Sequence, residues 1–361
     1  MIVVRAIKKD DLDGLMYLAT QVGDGMTTLK PDTEMLSNRI AVACASFAEQ
    51  IPPEQRDYLF VLEDTDNGKI IGVSAIKSAV GLDEPFYNYR IGTLVHSSKE
   101  LNVYSRMDTL YLSNDLTGCA ELCSLFLHPD YRNNNNGRLL SKCRFLFIAQ
   151  FPHLFSEKLI AELRGFQYPD GSSPFWDNLG RHFFKMDFNR ADDISSLGKK
   201  SFIAELMPRH PLYVAYLPKV AQDVIGQVHV DTAPARRLLE QEGLYYEGFV
   251  DIFDAGPVLQ ARVNELRSVR LSELLEVVDC SAALLSDPAA AEPMLVANTS
   301  IQDYRIIVSD LLPHHGQLQL TLEQQQVLGC SVKSQVRAMP LNAKNEAKNE
   351  VRKIGENYNE P

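Results

Sequence analysis

Apolar and polar positions along this chain sort most of it into short strands and amphipathic helices. Residues 2–7 (IVVRAI) read as a strand, and Asp10 or Asp11 is placed to cap a helix running to about Thr20. The segment QVGDGMTTLKPD, with its glycines and proline, predicts a loop before a second helix near 33–49. Two strand-like runs follow, YLFVLED (58–64) and KIIGVSAIKSAVG (69–81), joined by Thr-Asp-Asn-Gly, a hairpin signal. Residues 82–118, rich in Tyr, Asn and Ser, show little period apart from TLYLS and read as hairpin and loop decoration. AELCSLFLHP is a buried strand, a polar loop follows it, and GRLLSKCRFLFIAQF is a helix. KLIAELRG (158–165) predicts another strand, SPFWDNLGRHFF a short helix, and FFKMDF a closing strand.

That order describes a mixed α/β (α+β) sheet with an antiparallel first half, not the strict strand–helix alternation of a doubly wound fold. Residues 201–218 (SFIAELMPRHPLYVAYLP) read as strand with proline breaks, and 232–253 as a helix, a stop at Gly243 and a strand. The stretch from Pro174 to Gly180 and the one from Pro234 to Gly243 both set a proline at a helix start and a glycine at its end. The chain is therefore expected to hold a second, partial copy of its own helix–strand unit, ordinary helix punctuation being the plainer alternative. Residues 281–294, rich in Ala and Pro, read as a linker, 295–341 as a small β-rich module, and 342–361 as a frayed tail poor in apolar residues.

Composition narrows the function. At 361 residues the chain exceeds the usual size of one domain. Its 36 Lys+Arg against 47 Asp+Glu give a net charge of −11, which argues against a basic nucleic-acid surface while leaving room for a local anion site. The N-terminal apolar run is too short for a signal peptide, no stretch approaches the length of a membrane span, and six scattered cysteines make no disulfide framework. A cytoplasmic protein that binds neither nucleic acid nor membrane is expected. A chain of this size with a partial second copy is also expected to be able to form a homo-oligomer.

The strongest local signal runs from Leu125 to Leu140: a buried strand ends at Pro129, and the loop Asp130-Tyr131-Arg132-Asn133-Asn134-Asn135-Asn136 opens straight into a helix. Such a loop aims backbone N–H groups and the positive end of a helix at one point, which suits a diphosphate, and Arg132 and Arg138 add charge. Asn tolerates positive φ better than other non-glycine residues, so an Asn run can still shape a phosphate-cradling turn. A plain polar connection is the alternative. The segment resembles the acyl-CoA loop of the Gcn5-related N-acetyltransferases, Arg/Gln-x-x-Gly-x-Gly/Ala, with Arg132-x-x-Asn135-x-Gly137 in its place and Asn135 where the first glycine falls.

A closer resemblance covers most of the chain. The blocks Tyr87–His96, Ser98–Tyr104, Ser173–Trp176, Phe202–Pro208 and Asp223–His229 are similar to the bacterial arginine N-succinyltransferase family. The resemblance implies succinyl transfer from succinyl-CoA to the α-amino group of L-arginine, with succinyl-CoA as co-substrate, no permanently bound cofactor and no metal. It implies an acyl-CoA-binding unit over 1–190 and a second half-domain over 191–280 that carries His229, the family's proton donor. It also places a CoA contact at Leu125. The full CoA-binding set expected from the strand end and the loop is Leu125, Leu127, Arg132, Asn133, Asn135, Gly137 and Arg138.

Other residues divide between chemistry and structure. Glu121 is a candidate catalytic base, because related acyltransferases carry a carboxylate on this strand; a charge at an exposed strand start is the alternative. Cys119 and Cys123 share its face but stand about 13 Å apart, too far for a disulfide or a shared metal, and read as buried neutral thiols. His314-His315 reads as a solvated turn, and Trp176 with Phe175, Phe183 and Phe184 as core. Competing functions are the same fold acting on ornithine or using acetyl-CoA, and a non-catalytic acyl-CoA sensor that would need no His229.

Overall fold

The computed structural model describes residues 1–22, 26, 28–188, 190–191, 194, 201–208, 210–279 and 291–342. Strand β1 (Ile2–Ala6) leads into helix α1 (Leu12–Gln21), and α2 (Thr33–Phe47) begins where the Asp32 carboxylate accepts the Met35 N–H. β2 (Asp57–Asp64) and β3 (Lys69–Lys77) form the expected hairpin. The continuous apolar run of β2 has a simple cause. Its Tyr58, Phe60 and Leu62 pack with Phe147 of helix α3 (Asn136–Gln150), while Leu59 and Val61 pack with Leu15, Leu18, Leu36 and Ile40 of α1 and α2. With helices on both faces, neither side of the strand meets water, so no alternation develops.

Segment 82–118 is more regular than its composition suggests. β4 (Asn88–Ser98) and β5 (Val103–Ser113) pair along their whole length, although only Asn88–Arg90 of β4 also pair with another strand, β9 (Tyr245–Asp251). β6 (Ala120–Leu127), α3 and β7 (Lys158–Glu162) lie where the apolar runs put them. α4 (Pro174–Asn178) and α5 (Gly180–Phe184) meet at a contact only glycine permits, because a Cβ at Gly180 would fall 2.2 Å from the Trp176 ring. The aromatic cluster is core, as expected.

Two strand expectations are corrected. FFKMDF forms no strand: Lys185 (φ 53) ends α5, and Phe184 and Phe188, four residues apart, both pack on Trp176 with ring centroids at 5.3 and 6.4 Å. Segment 201–218 holds a helix, α6 (Ser201–Leu206), and a two-residue strand, β8 (Leu212–Tyr213), and a further short helix, α7 (Lys219–Gln222), follows Pro218. Ile203 and Met207 are both buried four residues apart, so the helical period prevails, and the prolines leave no run long enough for a strand.

α8 (Ala233–Glu242) ends at Gly243 in a left-handed conformation and continues into β9, after which β10 (Pro257–Arg262) returns between β9 and β7. The two segments compared for a repeat differ here: α8 is one helix leading into a strand, whereas α4 and α5 are broken at Leu179 and lead into none. α9 (Arg267–Leu271) follows, then β11 (Glu273–Asp279), β12 (Glu292–Asn298), β13 (Arg305–Leu311), β14 (Gln317–Leu320), α10 (Leu322–Leu328) and β15 (Gln335–Pro340). All these strands belong to one sheet in the order β14-β11-β15-β12-β13-β1-β2-β3-β6-β7-β10-β9-β4-β5-β8. Among the described residues its pairs are antiparallel except β6–β7 and β11–β14. The C-terminal β-rich segment extends this sheet through β13 on β1, with Val4 opposite Ile306. β12 starts at Glu292, inside the segment read as linker; residues 281–290 and the tail beyond 342 lie outside the described residues.

Candidate active site

The site grows from a defect in the sheet. β6 and β7 run parallel but pair only at Ala120↔Leu159 and Glu121↔Ile160, after which the two strands part. On its other side β6 carries a bulge: Cys123 stands opposite Ala75 and Phe126 opposite Val73, so Ser124 and Leu125 together face Ser74. Ser124 takes a left-handed conformation there (φ 54). A bulge leaves the extra residue out of the ladder, and Ser124 and Leu125 line the opening between the strands.

A cavity of about 450 Å³ fills that opening. β6 supplies one wall from Glu121 to Phe126 and β7 with its continuation supplies the opposite wall from Ala161 to Arg164. The start of α8, with Asp231 and Thr232, closes a third side. Arg132 and Arg144 bring positive charge from the loop and from α3, whereas Glu162, Asp251 and Asp254 bring carboxyl groups from β7 and the β9–β10 turn. Glu121 on the β6 wall and Arg164 on the β7 wall add the opposite sign on each side, so both charges line the cavity.

The loop ahead of α3 has the form expected for an anion cradle. Asn134 (φ 47) and Asn135 (φ 65) are consecutive left-handed residues, and α3 begins at Asn135 with no side chain capping its first N–H groups. The Asn135 Oδ1 accepts from Arg138 Nη1 at 3.2 Å, and that nitrogen also reaches Asn342 Oδ1 at 2.9 Å. Arg132 is held by its Nε on the Leu127 carbonyl (3.2 Å) and lines the cavity. Asn133 Nδ2 donates to the Asp130 carbonyl, tightening the turn. A Cβ at Gly137 would meet only Leu127, at an ordinary 3.7 Å, so nothing in the chain itself demands glycine there.

The remaining expected residues divide. Leu125 lines the cavity, whereas Leu127 is buried in the core beneath the loop. Glu121 lines the cavity opposite Lys77 on β3; burial opposes the charge of Lys77, yet Glu121 leads the charges that hold its pKa above the ordinary lysine value. Cys123 is a neutral thiol pushed up to about 11 by burial, and burial likewise raises Cys119. His229 stands just behind the wall. Its N–H donates to the Arg164 carbonyl (2.9 Å), and its Nδ1 accepts the Asp231 N–H (3.2 Å). Burial, and then the Arg164 charge, hold its pKa below the ordinary histidine value, with Asp231 opposing them. A neutral imidazole that accepts at Nδ1 carries its hydrogen on Nε2, so this ring presents a donor. His314 and His315 are exposed in their turn, and no group of metal-ligating side chains occurs among the described residues.

Several residues in the cavity wall or close to its loop were not singled out by the sequence. His128 repeats the turn of His229: its Nδ1 accepts the Asp130 N–H at 3.3 Å and its N–H donates to the Ile71 carbonyl. Asp254 accepts from the N–H groups of Gly165 (2.7 Å) and Gly256 (2.8 Å), and Asp251 Oδ1 accepts from Phe253 (2.6 Å) and Asp254 (2.8 Å). Burial and the neighbouring Asp251 push the Asp254 carboxyl well above the usual range. Arg164 donates through Nε to Gln167 Oε1 (3.1 Å), while Gln167 Nε2, buried at the cavity, meets no acceptor among the described residues. Arg144 had a visible signal, a charge inside an apolar helical run.

Known proteins place this arrangement. A family profile described as "Arginine N-succinyltransferase beta subunit" matches residues 2–268. Curated arginine N-succinyltransferases from Escherichia coli (strain 55989 / EAEC) and Shigella flexneri serotype 5b (strain 8401) are each 48% identical over 341 residues, 94% of this chain and 98% of theirs. The solved structure of arginine/ornithine succinyltransferase subunit AI from Pseudomonas aeruginosa is 34% identical, with a TM-score of 0.85 over 95% of this chain and 99% of that one.

Proposed function

The chain belongs to the arginine N-succinyltransferase family, and we propose that it transfers the succinyl group of succinyl-CoA to the α-amino group of L-arginine, releasing N2-succinyl-L-arginine and CoA. The observation that carries this reading is the parted β6–β7 pair with its bulge, opening on a cavity that Arg132, from the loop before the uncapped start of α3, also lines. The loop at Arg132, Asn133, Asn135, Gly137 and Arg138 takes the CoA diphosphate, and the pantetheine runs along β6 past Leu127 and Leu125. Backbone N–H groups freed by the bulge polarise the thioester carbonyl.

The arginine amine attacks the carbonyl carbon, the C–N bond forms, and collapse of the tetrahedral adduct breaks the C–S bond. The amine gives up a proton and the departing thiolate takes one. Glu121 lines the cavity as the base, and His229 gives the thiolate a proton as the imidazolium, its lowered pKa making that proton the easier to release. Glu162 offers the acceptor cation a counter-charge, beside the Asp251–Asp254 carboxyl pair. Residues 1–190 supply the acyl-CoA site and the base, and 191–280 the proton donor His229. No helix of the described residues is long and apolar enough to cross a membrane, and we place the protein in the cytoplasm.

A CoA–thiol release assay tests the reading, with succinyl-CoA or acetyl-CoA as donor and arginine or ornithine as acceptor. Ornithine is included because the Pseudomonas relative is named for both amino acids. Arginine-dependent release from succinyl-CoA supports the proposal, and CoA binding without release with any acceptor identifies a sensor instead.

A further inference from the structure

Among the described residues five cations are buried to more than nine-tenths in or beside the sheet, and four of them are neutralised. Arg5 meets Asp11 at 2.7 Å, and Lys142 and Arg267 share Glu242 at 2.8 and 3.3 Å. Arg56 meets Glu49 at 3.3 Å. Arg144, 2% exposed, is the exception. Its Nε donates to the Ser141 carbonyl (3.1 Å), its Nη2 to Ser141 Oγ (3.3 Å) and its Nη1 to the Cys123 carbonyl (3.5 Å). None of these carries charge, and among the described residues no carboxylate pairs with it. Burial lowers its pKa, with only the Cys143 and Cys123 thiols acting the other way. A guanidinium does not shed its proton near neutrality, so a full positive charge is held in a dry place against the cavity wall. Keeping such a charge without a partner is costly, and the cost is recovered only when an anion enters.

We propose that Arg144 anchors the free carboxylate of a dicarboxylic acyl group, and so selects succinyl over uncharged acyl thioesters. The inference rests on the reading that the acyl thioester lies along β6. Position supports it. Arg144 is seven residues beyond Gly137 on α3, about 10 Å along the helix, which removes it from the diphosphate at the helix start. Its bond to the Cys123 carbonyl sets the guanidinium level with the residue just before the bulge, on the far side from the CoA loop. An acyl chain whose carbonyl sits at Ser124–Leu125 therefore extends toward Arg144. In a succinyl group the terminal carboxylate follows three carbon–carbon bonds of about 1.5 Å each, a reach comparable to the roughly 3.3 Å step of one strand residue. The planar fork of a guanidinium suits a carboxylate presented end-on.

The experiment compares kcat/KM for succinyl-CoA and butyryl-CoA, which replaces the terminal carboxylate by a methyl group, with arginine as acceptor. Wild type is expected to favour succinyl-CoA strongly. Arg144→Met is expected to cut that preference by roughly a hundredfold, to keep the Kd for free CoA within about threefold, and to melt no lower than wild type because an unpaired buried charge has been removed. Arg144→Lys, which keeps the charge and loses the fork, is expected to cut the preference about tenfold, and it carries the test alone if the Met variant does not fold. A variant that keeps the wild-type preference overturns the role of Arg144 and leaves the donor assignment intact. A wild type that accepts both donors equally overturns the donor assignment, and this inference with it.

Discussion

Asn135 offers the sharpest test of the CoA loop. Its φ of 65 places it in the left-handed region directly before α3, so the N–H groups that follow are aimed by its conformation. That conformation costs an ordinary L-residue about 1–2 kcal/mol; Asn bears it well and β-branched Val badly. Asn135→Val relaxes the free loop, and binding must then restore the turn. With 1.4 kcal/mol per factor of ten, the Kd for CoA rises roughly five- to thirtyfold. Asn135→Gly removes the conformational cost altogether and loses only the exposed contact from Arg138 Nη1 to Oδ1, a contact worth about 0–1 kcal/mol. Its CoA affinity stays within about fivefold of wild type. Titration calorimetry of CoA into the three proteins reads the outcome directly. Equal affinity in wild type and the Val variant, at equal melting temperature, would refute the argument and remove the loop from the site.

Three further outcomes follow from the geometry. His229→Ala lowers kcat by roughly 10²–10⁴-fold with little change in CoA affinity, measured by turnover and by CoA titration; a variant with normal turnover makes His229 a structural residue. Asp254, with its pKa raised in the folded state, binds its proton more tightly folded than unfolded, so its contribution to stability is present at low pH and is lost as pH rises through its folded value. Asp251→Asn keeps an acceptor oxygen for Phe253 and Asp254 while removing the like charge, and is expected to flatten the fall of melting temperature as pH rises from the ordinary carboxylate range; an unchanged pH profile contradicts the coupling. Glu242→Gln strips the carboxylate from buried Lys142 and Arg267 and costs about 3–5 kcal/mol in denaturant unfolding, whereas a loss below about 1 kcal/mol shows the triad to be dispensable.

The sequence was most legible where burial is one-dimensional. The doubly buried β2, the hairpin after it and the strand–loop–helix around Arg132 all followed from local pattern, and the left-handed Asn135 from residue type. The bulge at Ser124 had no such signal, since Cys-Ser-Leu-Phe contains no glycine and the register is set by Ser74 on another strand. The charges of α3 were visible but not their fates: Lys142 is neutralised by a glutamate a hundred residues away, while Arg144 meets none. Asp254 carried no signal, because its burial depends on the close approach of the Gly165 and Gly256 backbones. The strands expected at 183–188 and 201–218 failed because apolar residues four apart were read as a run and not as a helical repeat.

The placement of β1 has a consequence for how the molecule is made. β1 pairs with β2 on one side and β13 on the other, so its first neighbour follows within about sixty residues and its second only after some three hundred. At translation speeds of roughly 5–20 residues per second, the outer edge of Ile2-Val3-Val4-Arg5-Ala6 waits about 15–60 seconds for Arg305–Leu311 to leave the ribosome. Throughout that interval a nascent chain with its α1, α2 and β2–β3 already built exposes an apolar, unpaired strand edge. Val3, which ends among Leu275, Val277 and Ile307, has no core to enter until then. The protein therefore begins life with a sticky seam that only its own last quarter can close.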